Sequence, residues 1–295
     1  MRRSRVLLVL MLVTGGSAAV TWSIGSRLSA PVPREIGPPP STLPGATAVS
    51  FSSASGSHIR AWHAPGRPGQ GSVVLAHARN GDRRSMLGRA EFLHDAGYSV
   101  LLFDAQAHGE SPGNQTTFGH LEAFDVAAAV SFATSRDSDS PTAVLGVSQG
   151  GAAALLGPSP LPVSALVLEA VYSTLPEAVA NRIAIRLGEP GRWLTPLLTW
   201  QLEPRLGVSA EALAPIGGIR NIEAPLLLVA GERDRHTTLD QSRALYRAAP
   251  EPKEMWVVPG AAHGDFHGFA PREYERRVLD FLDRTLRQTS SEAER

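Results

Sequence analysis

Gly146-Val147-Ser148-Gln149-Gly150 follows the aliphatic run Thr142-Ala143-Val144-Leu145 and precedes Gly151-Ala152-Ala153-Ala154-Leu155-Leu156. The first flank is β-branched and apolar, and the second is made of helix formers. The motif therefore reads as a turn from a strand into a helix. In that context G-x-S-x-G is a nucleophile elbow. The serine is expected at positive φ on a sharp turn, and Gly146 and Gly150 remove side chains that would crowd it. The following helix aims its amide dipoles at the hydroxyl and favours negative charge there. The competing reading is a glycine-rich strand-to-helix turn with an incidental serine.

Working outward, strand and helix patterns alternate. Thr47–Phe51 and Ile59–His63 flank Ser55-Gly56-Ser57 and predict a hairpin. Ser72–His77 is a near-continuous apolar run, as expected of a strand covered on both faces. An amphipathic stretch, Ser85–Asp95, ends at Gly97 and leads to a strand at Ser99–Phe103. Leu121–Thr134, Leu239–Ala249 and Tyr274–Leu286 read as helices, and Val163–Leu168, Leu226–Val229 and Met255–Val258 as strands. The expectation is one α/β domain over residues 46–288, with a mostly parallel central sheet, helices on both faces and a tail at 289–295. Tyr172–Glu223 is too long for a plain connection and predicts a helical cap insertion. Its apolar residues, among them Ile183, Trp193, Leu194, Leu197, Leu198, Trp200 and Leu202, either form a lid for an acyl chain or fasten the cap to the core.

Composition narrows the classes of function. The chain has 295 residues, 43% of them hydrophobic, which is ample for a core. Its formal net charge is zero, so nothing in the charge balance supports a nucleic-acid partner. It has no cysteine, which excludes disulfides, thiolate metal sites and a cysteine nucleophile. Residues 1–28 stand apart. Arg2, Arg3 and Arg5 precede an apolar run from Val6 to Val20 that continues through Trp22 and Ile24. At 1.5 Å per residue that segment spans roughly 28 Å, about the thickness of a bilayer core. It reads as a membrane anchor, or else a cleaved signal peptide, with the bulk of the chain on the extracytoplasmic side. Residues 29–45 are proline-rich and read as a stiff spacer.

In a parallel sheet, functional groups gather beyond the carboxyl ends of the strands. Those positions carry His77-Ala78-Arg79-Asn80-Gly81, Asp104–Ser111, Ser148, Gly231-Glu232-Arg233-Asp234 and Gly260-Ala261-Ala262-His263. The order Ser, Asp, His along the chain is that of one fold family. On Gly146–Gly150, the Asp104–Ser111 loop, the turn ending in Asp234 and the approach to His263, the sequence resembles the α/β-hydrolase superfamily. Within it the chain is similar to the membrane-anchored serine aminopeptidase-like and lysophospholipase-like branch. The resemblance covers about residues 47–285.

Acyl transfer assigns the roles. Ser148 needs a base to take its proton, and His263 is preferred over His267, which lies further from its strand end. Asp234 is preferred over Glu232 and Asp240 as the carboxylate that orients the imidazole. An oxyanion needs two N–H donors, each worth on the order of 3 kcal/mol. One is expected from the amide of Gln149. The resemblance implies the amide of Arg79 as the second, although Ala78 stands where the family usually has glycine. His77, Asp104 and His108 read as loop architecture. The chemistry needs no metal and no cofactor. The leading expectation is a serine esterase of small-molecule or lipid-like acyl substrates. A peptidase or amidase on the same triad, and a catalytically silent membrane-tethered binding module, are the alternatives. Haloalkane dehalogenation is disfavoured, because its nucleophile is a carboxylate where this chain has Ser148.

Overall fold

Alternate residues of the central strands enter different cores. Val74 and Ala76 pack on one side of the sheet, and Val73 and Leu75 on the other. This is why the run at 72–77 is apolar throughout instead of alternating. The computed structural model describes residues 18–157 and 160–293. Its main sheet has eight strands: β2 (Thr47–Ser52), β3 (His58–Ala64), β4 (Ser72–Ala76), β5 (Ser99–Phe103), β7 (Thr142–Val147), β8 (Ala165–Glu169), β9 (Leu226–Gly231) and β10 (Lys253–Val258). They lie in the order β10-β9-β8-β7-β4-β5-β3-β2. β2 and β3 pair antiparallel, as does β3 with β5; all other neighbours are parallel. The chain enters at the edge strand β2, pairs it with β3, skips one place to β4, steps back to β5, then crosses β4 to β7 and continues outward to β10. Ser148 follows β7, and the loop of Arg79 follows the adjacent strand β4.

Helices α3 (Glu122–Arg136), α4 (Gln149–Leu156) and α9 (Leu239–Ala248) cover one face. Helices α2 (Leu87–Asp95), the short α10 (Phe266–Phe269) and α11 (Pro271–Ala293) cover the other. The cap follows β8 and is built from α5 (Leu175–Leu187), a 3-10 turn at Glu189–Leu194, α6 (Thr195–Thr199), α7 (Leu202–Leu206) and α8 (Pro215–Gly218). Thr174 caps α5 by accepting the amide of Glu177, and Pro176 sits in its first turn. The cap's apolar residues divide. Ile183, Leu202 and Leu206 are buried, whereas Trp193, Leu194, Leu197 and Trp200 are exposed.

Residues 29–45, expected as a spacer, are instead fastened along the domain. β1 (Val32–Pro33) pairs in parallel with β6 (His108–Gly109). Arg34 pairs with Asp82, the amides of Ile36 and Gly37 donate to Glu110, and Leu43 is buried in the core. Proline content restricts φ but leaves the intervening amides free to find partners, and here they do. Residues 18–28 form a helix, α1, that rests on the cap. Gln201 donates to Thr21 O at 2.9 Å, and Arg205 donates to Ser26 Oγ and Trp22 O. Among the described residues no helix is long and apolar enough to cross a membrane. Residues 1–17, which carry most of the expected anchor, lie outside the described residues.

A buried ion pair joins α2 and α11 to the end of β8. Arg89 of α2 grips Glu169 at the end of β8 through both Nε and Nη2, and Tyr274 of α11 donates to the same carboxylate. Glu169 is fully buried, so removing its partner leaves an uncompensated charge. Arg89→Met is expected to lower stability by about 3–5 kcal/mol, read as a shift in the urea unfolding midpoint.

Candidate active site

Ser148 occupies φ 51°, ψ −108°, between the last residue of β7 and the first of α4. A residue with a side chain adopts positive φ only when its surroundings enforce it. Here the flanking glycines permit the turn. A Cβ at Gly150 would stand 2.3 Å from the carbonyl oxygen of Ala76, and one at Gly146 would stand 2.6 Å from Cα of Gly151. The turn is also tied down. The amide of Ser148 donates to Glu169 O at 2.7 Å, and Ala152 N donates to Ser148 O at 2.9 Å.

Asp234 and His263 come together from the ends of β9 and β10. His263 Nδ1 lies 2.7 Å from Asp234 Oδ2. The other contacts to this carboxylate come from its own loop: His236 N at 2.7 Å and Thr237 N at 2.9 Å to Oδ1, and Thr237 Oγ1 at 2.6 Å to Oδ2. Burial pushes the Asp234 carboxyl pKa up, but the hydrogen bond and charge of His263, with the Thr237 bonds, outweigh it and leave the pKa below its ordinary value. Asp234 is therefore ionised at neutral pH and positioned to hold Nδ1 of His263 protonated, which leaves Nε2 as the basic atom. The hydrogen bonds of His263 run to Asp234 and Thr237, and none reaches Ser148.

Ser148, Gln149 and Arg79 line one cleft. Among the described residues, the backbone amides of Arg79 and Gln149 donate to no protein acceptor outside helix α4. The rest of the cleft is mainly apolar. Leu175, Ala178, Val179 and Arg182 form one stripe of α5, at spacings of i, i+3, i+4 and i+7. Leu198 and Leu202 come from the cap, Phe118 and Tyr172 from the domain, and Gly25 and Leu28 from α1.

The competing residues are occupied elsewhere. His267 bonds Glu275 at 2.9 Å and packs against Phe92 and Tyr274. Glu232 accepts the amide of Gly260, and Asp240 is a surface partner of Arg243. His77 is fully braced: Nδ1 lies 2.8 Å from Ala78 O, and Nε2 accepts from Ala105 N at 3.1 Å. Burial first, then the neighbouring His108, drives its pKa down to about 3, so it is a neutral strut. Asp104 accepts the amides of Arg83 and Glu110 and pairs with the Arg83 side chain. His108 is buried, with Nδ1 against Gln106 O. Sequence reasoning missed Thr237, Arg182, Gly25 and Leu28. The i+7 stripe on α5 was a usable signal for Arg182. Nothing local pointed to Gly25 and Leu28, which reach the cleft only because α1 lies on the cap.

The comparisons with known proteins agree with this architecture. The family model described as serine aminopeptidase, S33, matches residues 67–214. An uncharacterised protein of Mycobacterium tuberculosis is 30% identical over 295 residues, covering 97% of this chain and 95% of that one. An uncharacterised protein of Bacillus subtilis is 24% identical, covering 80% and 79%. Among solved structures, an esterase of Pyrococcus furiosus superposes with a TM-score of 0.72 at 23% identity, covering 88% of this chain and 98% of that chain. An esterase of Exiguobacterium antarcticum gives 0.59 at 15% identity, covering 80% and 100%. At these identities the structural likenesses speak for the fold. With its sheet order, its strained serine turn and a match spanning half its length, the chain belongs to the serine aminopeptidase S33 family of α/β hydrolases.

Proposed function

We propose that the chain is a serine hydrolase of carboxylic ester or related acyl bonds, acting on hydrophobic or lipid-like substrates. The observation that carries this reading is the meeting in one cleft of Ser148, held at positive φ, with Gln149 and Arg79, and an Asp234–His263 pair at the ends of β9 and β10 in the same sheet. In this scheme Ser148 Oγ adds to the substrate carbonyl carbon while His263 Nε2 takes the hydroxyl proton. The amides of Gln149 and Arg79 hold the oxyanion. The C–O bond to the leaving alcohol breaks as His263 returns the proton to it. Water then repeats the sequence on the acyl-enzyme, releasing the acid and regenerating the serine. Among the described residues His263 bonds Asp234 and Thr237, and in this scheme its bond to Ser148 forms as substrate fills the cleft.

The apolar lining supports a hydrophobic acyl group, and the surface around it supports a membrane setting. Val20, Trp22 and Ile24 of α1 and Trp193, Leu194, Leu197 and Trp200 of the cap are exposed, and the rings of Trp22 and Trp200 lie 6.0 Å apart. Exposed apolar patches with tryptophan suit a bilayer interface, and the apolar run from Val6 feeds directly into α1. We therefore assign the chain to a membrane surface, tethered by its N-terminal segment, with the domain on the extracytoplasmic side.

A fluorophosphonate probe is expected to label wild type and not Ser148→Ala, and Ser148→Ala is expected to lose at least roughly 10⁴-fold in kcat on p-nitrophenyl esters. Wild type that is neither labelled nor active would mean a silent binding module. An aminoacyl amide turned over faster than any ester would mean a peptidase. Asp234→Asn is expected to cost about 10⁴-fold in kcat, because His263 then holds its proton on the wrong nitrogen. The full-length chain is expected to sediment with membranes and to be digested by protease added to spheroplasts. Recovery in the soluble fraction, or protection from the protease, would overturn the membrane assignment.

A further inference from the structure

We propose that the cleft selects an acyl ester that itself carries a negative charge, a phosphate or carboxylate a few atoms from the scissile carbonyl, bound by Arg79, Arg182 and Arg205. This rests on the esterase reading and names its substrate class.

Among the described residues, three arginines line the cleft that holds Ser148, and no aspartate or glutamate does. A guanidinium withdrawn from water is normally matched by a carboxylate. This chain follows the rule elsewhere: Arg83 pairs with Asp104 and Glu110, and Arg89 with Glu169 and Asp265. The cleft arginines are half-buried, and none forms an ion pair with a carboxylate among the described residues. Arg79 donates to Leu28 O at 3.0 Å, and Arg182 to Ala178 O at 3.0 Å. Arg205 donates to Ser26 Oγ, Trp22 O and Gln201 Oε1 and stacks over Trp22, while its Nε is buried with no partner. Each group is thus oriented by neutral acceptors that leave its charge uncancelled. Burial and the nearby charge of Arg182 lower the pKa of Arg79, which shows that the two cations sense one another. Asp234 acts on Arg182 from beyond ion-pair distance, and its own oxygens are taken by His263, Thr237 and the His236 amide.

Several uncancelled cations in a mainly apolar cleft form a receptor for an anion with a greasy body. The layout suits such a ligand. Arg182 ends the apolar stripe of α5, so one helix face offers both the chain-binding wall and the charge. Arg79 carries the amide assigned to the oxyanion, and it lines the same cleft as Ser148. Arginine binds phosphate and carboxylate alike through its planar fork. The anion itself takes no part in bond making.

The test compares three esters of one chain length in uncharged detergent with the full-length protein: 1-acylglycerol, its 3-phosphate and its 3-hemisuccinate. The kcat/KM for at least one anionic ester is expected to exceed that of the neutral ester roughly tenfold or more. The better of the two identifies the source of the charge. Arg182→Gln and Arg205→Gln are each expected to lower that ratio several-fold, and Arg182→Lys to restore most of it. The ratio is taken within one preparation, so loss of folded protein cancels. Equal or better cleavage of the neutral ester, or a ratio unmoved in both glutamine variants, would overturn the proposal while leaving the esterase reading intact. No turnover of any ester and no fluorophosphonate labelling would remove both.

Discussion

The backbone at Gly150 approaches the end of β4 so closely that no side chain fits between them. Ala76 O would lie 2.3 Å from a Cβ there, and His77 O 2.7 Å. This contact locks the start of α4 against the neighbouring strand. It brings the turn of Ser148 beside the loop that carries Arg79, and the geometry of the cleft follows from it. A parallel pair in register, with Ala76 opposite Gly146, sets the height at which the two strands end.

Around that contact the buried polar groups act as struts. His77 bridges the loops after β4 and β5 by bonding Ala78 and Ala105, and it does so neutral, with one nitrogen donating and the other accepting. Asp104 gathers Arg83 and the amide of Glu110, joining the same two loops a second time. Glu122 collects Thr117, Gly119 and Gln106 beneath Phe118, a wall of the cleft. These groups spend their hydrogen bonds on the scaffold, and among the described residues no histidine or carboxylate lines the cleft.

The two halves of the site differ in how they are built. The serine turn is held by backbone contacts between adjacent strands. The His263–Asp234 pair joins the loops after β10 and β9, and the amides of His236 and Thr237 with the Thr237 hydroxyl hold the carboxylate in place. The cleft roof is different again, since it combines the cap with α1, a segment that precedes the domain in sequence. Binding by Gln201 and Arg205 makes α1 part of the enclosure. A change in how the N-terminal segment is held would therefore be felt at Gly25 and Leu28, inside the cleft.

Local patterning was enough to read the strand–turn–helix at Ser148, the alternation of strands and helices, the cap as an insertion, and Asp234 and His263 as strand-end residues. Each is encoded within a few neighbouring positions, by periodicity, by glycine where φ must be positive, or by a loop just past an apolar run. The docking of residues 29–45, the roof formed by α1, the division of the cap's apolar residues into buried and exposed sets, and the gathering of Arg79, Arg182 and Arg205 without a counter-charge were not legible. These depend on which distant surfaces meet. A proline-rich stretch looks the same whether its amides face water or Glu110, and an arginine looks the same whether a carboxylate or a carbonyl lies beside it. The sequence by itself determined the strand–helix alternation, the serine turn and the strand-end places of Asp234 and His263, because those follow from short-range sterics and pattern. Tertiary structure alone decided what the cleft contains and what charge it bears, because that is a sum over segments far apart in the chain.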